Sequence, residues 1–562
     1  AKDRPLSFLD HHLRLGNSLI GAWVKDLDML PLTQKKSEQN RQTEFVASLF
    51  EGRLRSALAK ALGIVMKVLS IPSDTVGQVR EKEALYAKFL GHLQPFKEIA
   101  NVWVASFFGN PVSDKDYADL LAEVAPDRLA VATETAHQSW FASAQELATK
   151  SRYFFHWELE FPEVFFDEHG KRKRNPGFDA VIGNPPYLFL SGKGSPVRRL
   201  LKQGKQRQAT VWQCEIDYLS ERFPRSSKGC KDYYKWFVDL SVRLARFGGW
   251  VSLIVSNTWI AYPKFRDIRT ILAIENQLIE LIDLGSEVFS DPTVLASIFL
   301  MRKSEACRDQ KRIKYADLKQ CPRSSIKHGD FSEVLETHWS STALAKESVD
   351  FEMYSSPVAS RLMTGSFDNP RATPFMIHEG EHGLNINRNH LKALPGPNCV
   401  PIVQDWEMER YLSPSIAFLP DHVAGVPMNA SHRGARLLLR KTGDTIVVAP
   451  PLDYRDGLAH QNVYVVQVTN QDIEPGYICA LFNSRLLTHI YQHSPFGQPG
   501  RVQAQFRIDF LYRLPIRRIA FTTPKEERAR LVEEAKRLYR VALESAKQTS
   551  AAQALFSDLL VF

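Results

Sequence analysis

The spacing of apolar residues changes several times along this chain, and each change marks a different kind of element. From Phe8 to Trp23 (FLDHHLRLGNSLIGAW) an apolar run is interrupted by Gly16, Asn17 and Ser18, which predicts a strand ending in a polar turn. From about residue 34 to 155 the apolar positions recur at helical spacing, as in Phe45, Leu49, Leu54, Leu58, Leu62 and Val65, with Pro72 and Pro111 as breaks. Strand character returns at Phe178 to Ile182 and stops at Gly183. From Asp232 a helix is predicted with Tyr233, Trp236, Phe237, Leu240 and Leu244 on one face, ended by Gly248 and Gly249. Three apolar runs follow, Trp250 to Val255, Gln277 to Leu284 and Leu295 to Met301. Their continuous apolar character predicts a sheet covered on both faces.

Beyond Arg302 the periodicity weakens, and Pro, Gly and Asn become frequent between Asp368 and Cys399, where a second domain is expected to begin. Its predicted elements are strands at Thr445 to Val448, Asn462 to Val468 and Phe510 to Ile516, and a helix from Gly476 to Gln492. Pro524 to Ser545 reads as a charged amphipathic helix with Leu531, Ala535, Leu538 and Val541 on its stripe. The expected fold class is α/β. Its expected divisions are 1–33, a helical insertion at 34–155, a catalytic domain at 156–305, a connector at 306–370, a second mixed α/β domain at 371–522 and a helical tail at 523–562. A chain of 562 residues exceeds what one core usually holds, in keeping with several domains.

Composition adds three constraints. The balance of 72 Lys and Arg against 63 Asp and Glu gives a net charge of +9, which permits a polyanionic partner without requiring one. Six scattered cysteines with no Cys-x-x-Cys pair fit free thiols in a reducing cytosol and no zinc finger. The longest apolar run, around Trp250 to Ile260, is broken by Ser252, Ser256 and Asn257, so no membrane span is expected. The chain opens on alanine within a charged stretch, which reads as a fragment or a processed product.

Candidate chemistry concentrates at Asn184, Pro185, Pro186 and Tyr187, directly after the strand that ends in Gly183. Methyl transfer to an exocyclic amine requires acceptors that draw its nitrogen lone pair out of the ring. The side-chain oxygen of Asn184 and the carbonyl of Pro185 are two such acceptors, and the prolines restrict the direction of that carbonyl. Tyr187 offers a π-face, and stacking is worth about 1–3 kcal/mol per base. An adenine in a duplex reaches such a pocket only by flipping out. Alone, the four residues read equally as a proline-stiffened turn; their place at a strand end, where open α/β sheets put their sites, favours the functional reading. Between Lys193 and Arg207 the chain carries Lys193, Arg198, Arg199, Lys202, Lys205 and Arg207 with no acidic residue, read as a loop that either pairs with phosphates or is merely solvated.

With these motifs in view, the chain resembles the N6-adenine branch of the amino-methyltransferases. In particular it resembles the large type IIG restriction-modification enzymes and related phage-defence methyltransferases of BREX or DISARM kind. The resemblance rests on the tetrad and on Gly16 to Gly21 (GNSLIG), His156 to Phe166 (HWELEFPEVFF), Asp232 to Phe237, Val255 to Trp259 (VSNTW) and Leu281 to Phe299. It implies a Rossmann-like class I methyltransferase sheet, with S-adenosylmethionine as donor, double-stranded DNA as substrate, and other defence-system proteins as partners. Asn17 would lie beside the cofactor's adenine, with Asn184 near the cofactor as well. Asn184 and Pro185 would bind the target amine within the Asn184, Pro185, Pro186, Tyr187 motif. Tyr187 would stack on the flipped base and Phe289 on its other face, Phe289 being equally readable as a core aromatic. Leu437 to Pro451, Ala459 to Val466, Tyr477 to Leu487 and Gln505 to Pro515 resemble TaqI-like target-recognition domains, where Arg433, Arg436, Arg440, Lys441 or Arg455 are candidates for reading guanine edges.

Metal is not expected. His11 and His12, read as strand neighbours, would point to opposite faces, and His156, Glu158, Glu160 and Glu163 sit among aromatics that suggest packing. In the family, the glycine-rich cofactor turn and its acidic partner precede the third-strand motif, which here starts at residue 8. The N-terminal strands of the sheet are therefore expected to be missing, leaving an unpaired strand edge. The chain is expected to be the C-terminal portion of a longer methyltransferase, or one polypeptide of a split one, that pairs with an N-terminal segment or partner chain. Two alternatives stay open: a DNA-binding specificity module without catalysis, and a methyltransferase for RNA guanine or protein glutamine.

Overall fold

The computed structural model describes residues 11–28, 30, 41–123, 133–192, 195–285 and 295–305. Of the remainder it describes 288–289, 312–319, 321, 339–344, 351–352, 359, 375–379, 396–403, 416–420, 437–449, 458–459, 462–469, 475–494, 496–497, 506–512, 514 and parts of 524–537. The chain divides into two compact units, one of residues 1–281 and 296–310, the other of 282–295 and 311–562.

The first unit begins with helices α1 (Arg41–Ser70), α2 (Val76–Ser106), α3 (Asp114–Glu123), α4 (Thr133–Ala136) and α5 (Ser139–Glu146). Thr75 starts α2 with a capping box, its side chain accepting from Gln78 N while the Gln78 side chain takes the Thr75 N–H. Phe50, Leu54, Leu58, Leu62 and Val65 of α1 are buried in the same core as Phe89, Leu93, Phe96 and Trp103 of α2. Short turns α6 (Trp157–Glu160) and α7 (Pro162–Phe165) lead into strand β1 (Phe178–Gly183), and α8 (Pro196–Lys202), α9 (Gln206–Arg222) and α10 (Tyr233–Leu244) follow it. Then come β2 (Ala245–Ser256), α11 (Thr258–Ala261), α12 (Arg266–Ala273), β3 (Gln277–Gly285) and β4 (Ala296–Arg302).

The strand order is β1-β2-β4-β3, with β1 parallel to β2 and β2 antiparallel to β4. This is a mixed α/β unit whose sheet has mixed strand orientation. Residues on one face, Val251, Leu253 and Val255 of β2 with Phe299 and Met301 of β4, are buried, and Trp259 packs edge-on against Phe299. The opposite face corrects the expectation of a sheet covered on both sides. There, Ile182 is 83% and Trp250 40% exposed, and Ser252, Ile254, Ile298 and Leu300 are only half-buried. Among the described residues β1 is also an edge strand, with β2 as its neighbour.

Three further expectations are corrected in this unit. Residues 11–24 form no strand; one parallel bridge joins Asn17 to Phe154, and the chain then turns because Asn17 Oδ1 accepts from Leu19 N and Asn17 O from Ile20 N. The basic stretch is no loop: Ser195 caps α8 by accepting from Arg198 N, with Pro196 at its first position. Gly248 and Gly249 do not end a helix, since α10 stops at Leu244 and both glycines lie within β2, at a bulge between the Phe178–Ala245 and Ala180–Trp250 pairs. A Cβ on Gly249 would fall 2.9 Å from the carbonyl oxygens of Arg246 and Phe178, so glycine is what lets β1 approach there.

In the second unit β5 (Arg312–Asp317), β6 (Trp339–Leu344) and β7 (Phe351–Glu352) run antiparallel in that order. β8 (Phe375–Glu379), β11 (Leu437–Arg440), β12 (Val448–Ala449) and β14 (Val463–Val468) form an antiparallel sheet in the order β12-β11-β14-β8, and β9 (Cys399–Val403), β10 (Ile416–Pro420) and β13 (Leu458–Ala459) form a second in the order β10-β9-β13. The expected helix 476–492 is two helices, α13 (Pro475–Asn483) and α14 (Arg485–Gln492), because Ser484 turns extended and caps the second by accepting from Leu487 N. Where a strand was expected from Phe510, a short helix α15 (Ile508–Leu511) forms. Asn483 clasps Val448, giving its Nδ2 to the Val448 carbonyl at 2.7 Å and taking the Val448 N–H at 2.8 Å. The apolar stripe expected at Leu531, Ala535, Leu538 and Val541 lies outside the described residues.

Candidate active site

The tetrad leaves the carboxyl end of β1, where Gly183 pairs with Leu253 of β2. Pro185 is buried while Asn184 and Pro186 are exposed, so the buried proline anchors an irregular stretch that leaves Asn184 at the surface. The Tyr187 hydroxyl donates to the Ile254 carbonyl at 3.0 Å and lies 3.3 Å from Asn184 Oδ1, which ties the asparagine to the neighbouring strand end. Burial pushes the Tyr187 hydroxyl up to about 12, so it remains a donor at neutral pH. The Tyr187 ring meets Tyr234 edge-on, and Tyr234 in turn stacks on Phe265 and shares a hydrogen bond with Thr258 Oγ1. The tetrad and residues 254–258 thus converge at the carboxyl ends of two parallel strands, the position at which open α/β sheets bind ligands.

The segment after the tetrad is pinned as well. Leu190 N donates to the Lys231 carbonyl at 2.9 Å and Tyr233 N to the Leu188 carbonyl at 3.2 Å, with Phe189 and Asp232 bridged antiparallel. Asp232 is buried at the start of α10, and burial raises its carboxyl to about 7 against the opposing pull of the Tyr234 and Leu188 N–H groups and of Lys235 and Lys264.

Asn17 lines an open cavity of about 460 Å³ with Leu15, Gly16, Arg152, Tyr153, Trp212 and Glu215, and the tetrad is not among its lining residues. Glu215 accepts from both Arg152 and the Tyr233 hydroxyl, and its carboxyl is raised by burial despite the arginine. The wall is held by residues 153–158: Asn17 N donates to Tyr153 O, Phe155 N to Ile20 O, Ala22 N to His156 Nδ1 and Val24 N to Glu158 Oε2. A side chain on Gly21 would overlap the Phe155 carbonyl, which explains glycine there. Arg152, Tyr153, Trp212 and Glu215 escaped the sequence reading because they sit far apart in sequence from Asn17.

Five of the six basic candidates, Arg198, Arg199, Lys202, Lys205 and Arg207, are exposed on α8, the start of α9 and the turn between them; Lys193 lies outside the described residues. Phe289 is a half-buried bend residue of the second unit. Arg433, Arg436 and Arg455 lie outside the described residues, whereas Arg440 and Lys441 are half-buried, Lys441 resting over the Tyr464 ring at 5.1 Å.

His11 and His12 do not point apart, as a strand would require; their rings lie 3.8 Å from each other because the segment turns there. No cluster of three or more metal-type ligands occurs among the described residues. His156 is committed elsewhere, with Nδ1 taking the Ala22 N–H and Nε2 on Asn101 Oδ1 at 2.9 Å. No helix among the described residues is long and apolar enough to cross a membrane.

Residues 84–289 match the Eco57I restriction-modification methylase family, and residues 382–516 match the TaqI-like C-terminal specificity domain. The chain therefore carries a restriction-modification methylase domain followed by a specificity domain. It is 31% identical over 126 residues to the type II methyltransferase M.TthHB8I of Thermus thermophilus, a match that covers 22% of this chain and 26% of the relative, so it spans about a quarter of that relative's length. Among solved structures it is similar to the type IIG restriction endonuclease BpuSI (12% identity, 95% of this chain and 79% of that one, TM-score 0.29). It is also similar to the type IIL restriction-modification enzyme MmeI in complex with DNA (11% identity, 67% and 51%, TM-score 0.37).

Proposed function

We propose that this chain is the base-presenting and DNA-reading part of a site-specific adenine-N6 DNA methyltransferase of a type IIG or phage-defence system. The observation that carries the reading is the turn at 184–187, which exposes the Asn184 amide from a strand end while its prolines and the Tyr187 hydrogen bonds fix its direction. Asn184 Oδ1 and the Pro185 carbonyl accept from the adenine amino group and weaken its conjugation with the ring, and Tyr187 stacks on the flipped base. The exposed cations of α8 and α9 pair with phosphates flanking that base. S-adenosylmethionine, when bound, supplies the electrophilic methyl group. The aromatic and polar cavity at Asn17, Tyr153 and Trp212 fits one side of a planar adenine moiety, so these residues would hold part of that cofactor. Exposed Ile182 and Trp250 on one sheet face, and the position of β1 at the sheet edge among the described residues, support a further stretch of polypeptide, in the same chain or a partner, that completes the sheet and carries the rest of the cofactor site.

The test adds labelled S-adenosylmethionine and unmethylated duplex DNA to the chain together with that further stretch, then locates the label. Label in N6-methyladenine, lost in Asn184→Ala, is expected. Tight DNA binding without any transfer would make the chain a specificity module, and transfer to RNA or protein instead would also overturn the reading.

A further inference from the structure

We infer that Lys235 is a positioning residue for the amine-binding turn, acting through the backbone on which the exit of that turn rests. The inference builds on the reading of the tetrad given above. Lys235 lies in the first turn of α10 between Tyr234 and Trp236, and its side chain is fully buried. An ammonium has three donors, and three acceptors surround this one: the Asp267 carboxylate at 2.7 Å, the Lys228 carbonyl at 2.8 Å and the Cys230 carbonyl at 2.6 Å. The ring of Phe265 lies 5.6 Å away. A fully buried charge is costly and a helix core would ordinarily hold an apolar residue at this position, so its use is to be sought in what it binds.

What it binds is the carbonyls of Lys228 and Cys230, and the residues that follow directly, 231–233, carry the exit of the tetrad. Besides the two backbone bonds at Leu188 and Leu190, Lys231 N donates to Ser191 Oγ at 2.7 Å. The tetrad therefore hangs between two hydrogen-bonded anchors. One is the pairing of Gly183 with Leu253 in the sheet; the other is the 188–191 stretch laid against 231–233, itself held from below by Lys235 and Asp267. Releasing the second anchor leaves the Asn184 and Pro185 acceptors attached but free to swing, which affects aim more than encounter with DNA.

Two measurements decide this. In the unmodified chain, the amides of Leu190 and Tyr233 should exchange with solvent far more slowly than those of exposed residues such as Ser113 and Glu168; exchange at the rates of those residues would overturn the anchor with no variant needed. The double variant Lys235→Met, Asp267→Leu removes this ion pair as a whole, leaving Lys264 as the cation acting on the buried Asp232, and the Lys228 and Cys230 carbonyls lose their donor. It should raise exchange at Leu190, Lys231 and Tyr233 by about tenfold or more. In the methylating assembly it should lower kcat by about tenfold to a hundredfold with KM for DNA unchanged, as expected when a reacting group is misplaced by about 1 Å. Wild-type exchange and kcat in a folded double variant would refute the proposal, as would a change confined to KM. If the wild-type assembly transfers no methyl to adenine, the functional reading fails, and the exchange measurements still decide whether the anchor exists.

Discussion

Protonation of one buried histidine should loosen the wall of the Asn17 cavity at mildly acidic pH. His156 is 2% exposed, and burial, with Lys97 nearby, lowers its pKa from 6.5 to about 3. Its neutral form accepts the Ala22 N–H on Nδ1, a role that the protonated ring cannot fill. Below 6.5 the opened segment binds a proton that the closed one refuses, so stability is complete near neutrality and falls as pH drops toward 3. Between about pH 7 and pH 5 the difference amounts to roughly 2 kcal/mol, given about 1.4 kcal/mol per unit of separation. That loss predicts roughly thirtyfold more frequent opening of residues 18–24, read by amide exchange corrected for its intrinsic pH dependence. His156→Gln should abolish this pH dependence, because a glutamine carbonyl accepts from Ala22 without titrating. An equally steep pH dependence in that variant, or unchanged protection of 18–24 at pH near 5 in the wild type, would refute the reasoning. Binding of an adenosine-containing ligand at Asn17 should weaken over the same window, since the same backbone carries it.

Other substitutions probe the site and its frame. Replacing Arg198, Lys202 and Arg207 by Gln should reduce the slope of log affinity against log salt for duplex DNA by about 2–3, at about 0.9 per lost phosphate contact; an unchanged slope would show these cations to be mere solvated charge. Tyr187→Phe keeps the stacking ring and loses hydrogen bonds worth about 1 kcal/mol, whereas Tyr187→Ala also loses stacking worth about 1–3 kcal/mol. Methyl-transfer rates should therefore fall in the order wild type, Phe, Ala, and a Phe variant as impaired as Ala would move the role of Tyr187 to its hydroxyl. Gly249→Ala puts a Cβ 2.9 Å from the carbonyls of Arg246 and Phe178 and 3.0 Å from that of Asp179. It should cost about 1–3 kcal/mol and lower the thermal midpoint of the first unit; a neutral effect would mean that the bulge yields freely.

Short-range chemistry in the sequence settled a good deal. The helical spacing of Leu54, Leu58, Leu62 and Val65, the strand before Gly183 and the two prolines after Asn184 all act within a few residues of themselves, so their structures follow from local preference, although Leu49, placed on the same stripe, is exposed. Local signals also misled where a neighbour in space decided the outcome. Residues 11–24 look like a strand, yet bonds from His156, Glu158 and Tyr153 hold them as a turned segment. The basic stretch looks like a loop until Ser195 and Pro196 are seen to start a helix. Glycines 248 and 249 look like a helix stop but permit the close approach of β1 to β2. Alternation of exposure across Ile182 and Trp250 is invisible in a run of uniformly apolar letters, because burial is decided by what packs above the strand. The Asn184 turn could be named from the sequence alone, since its stiffness is covalent. Its second anchor on Lys235 could not, because a buried lysine is distinguished from a solvated one only by the three acceptors that the fold brings to it.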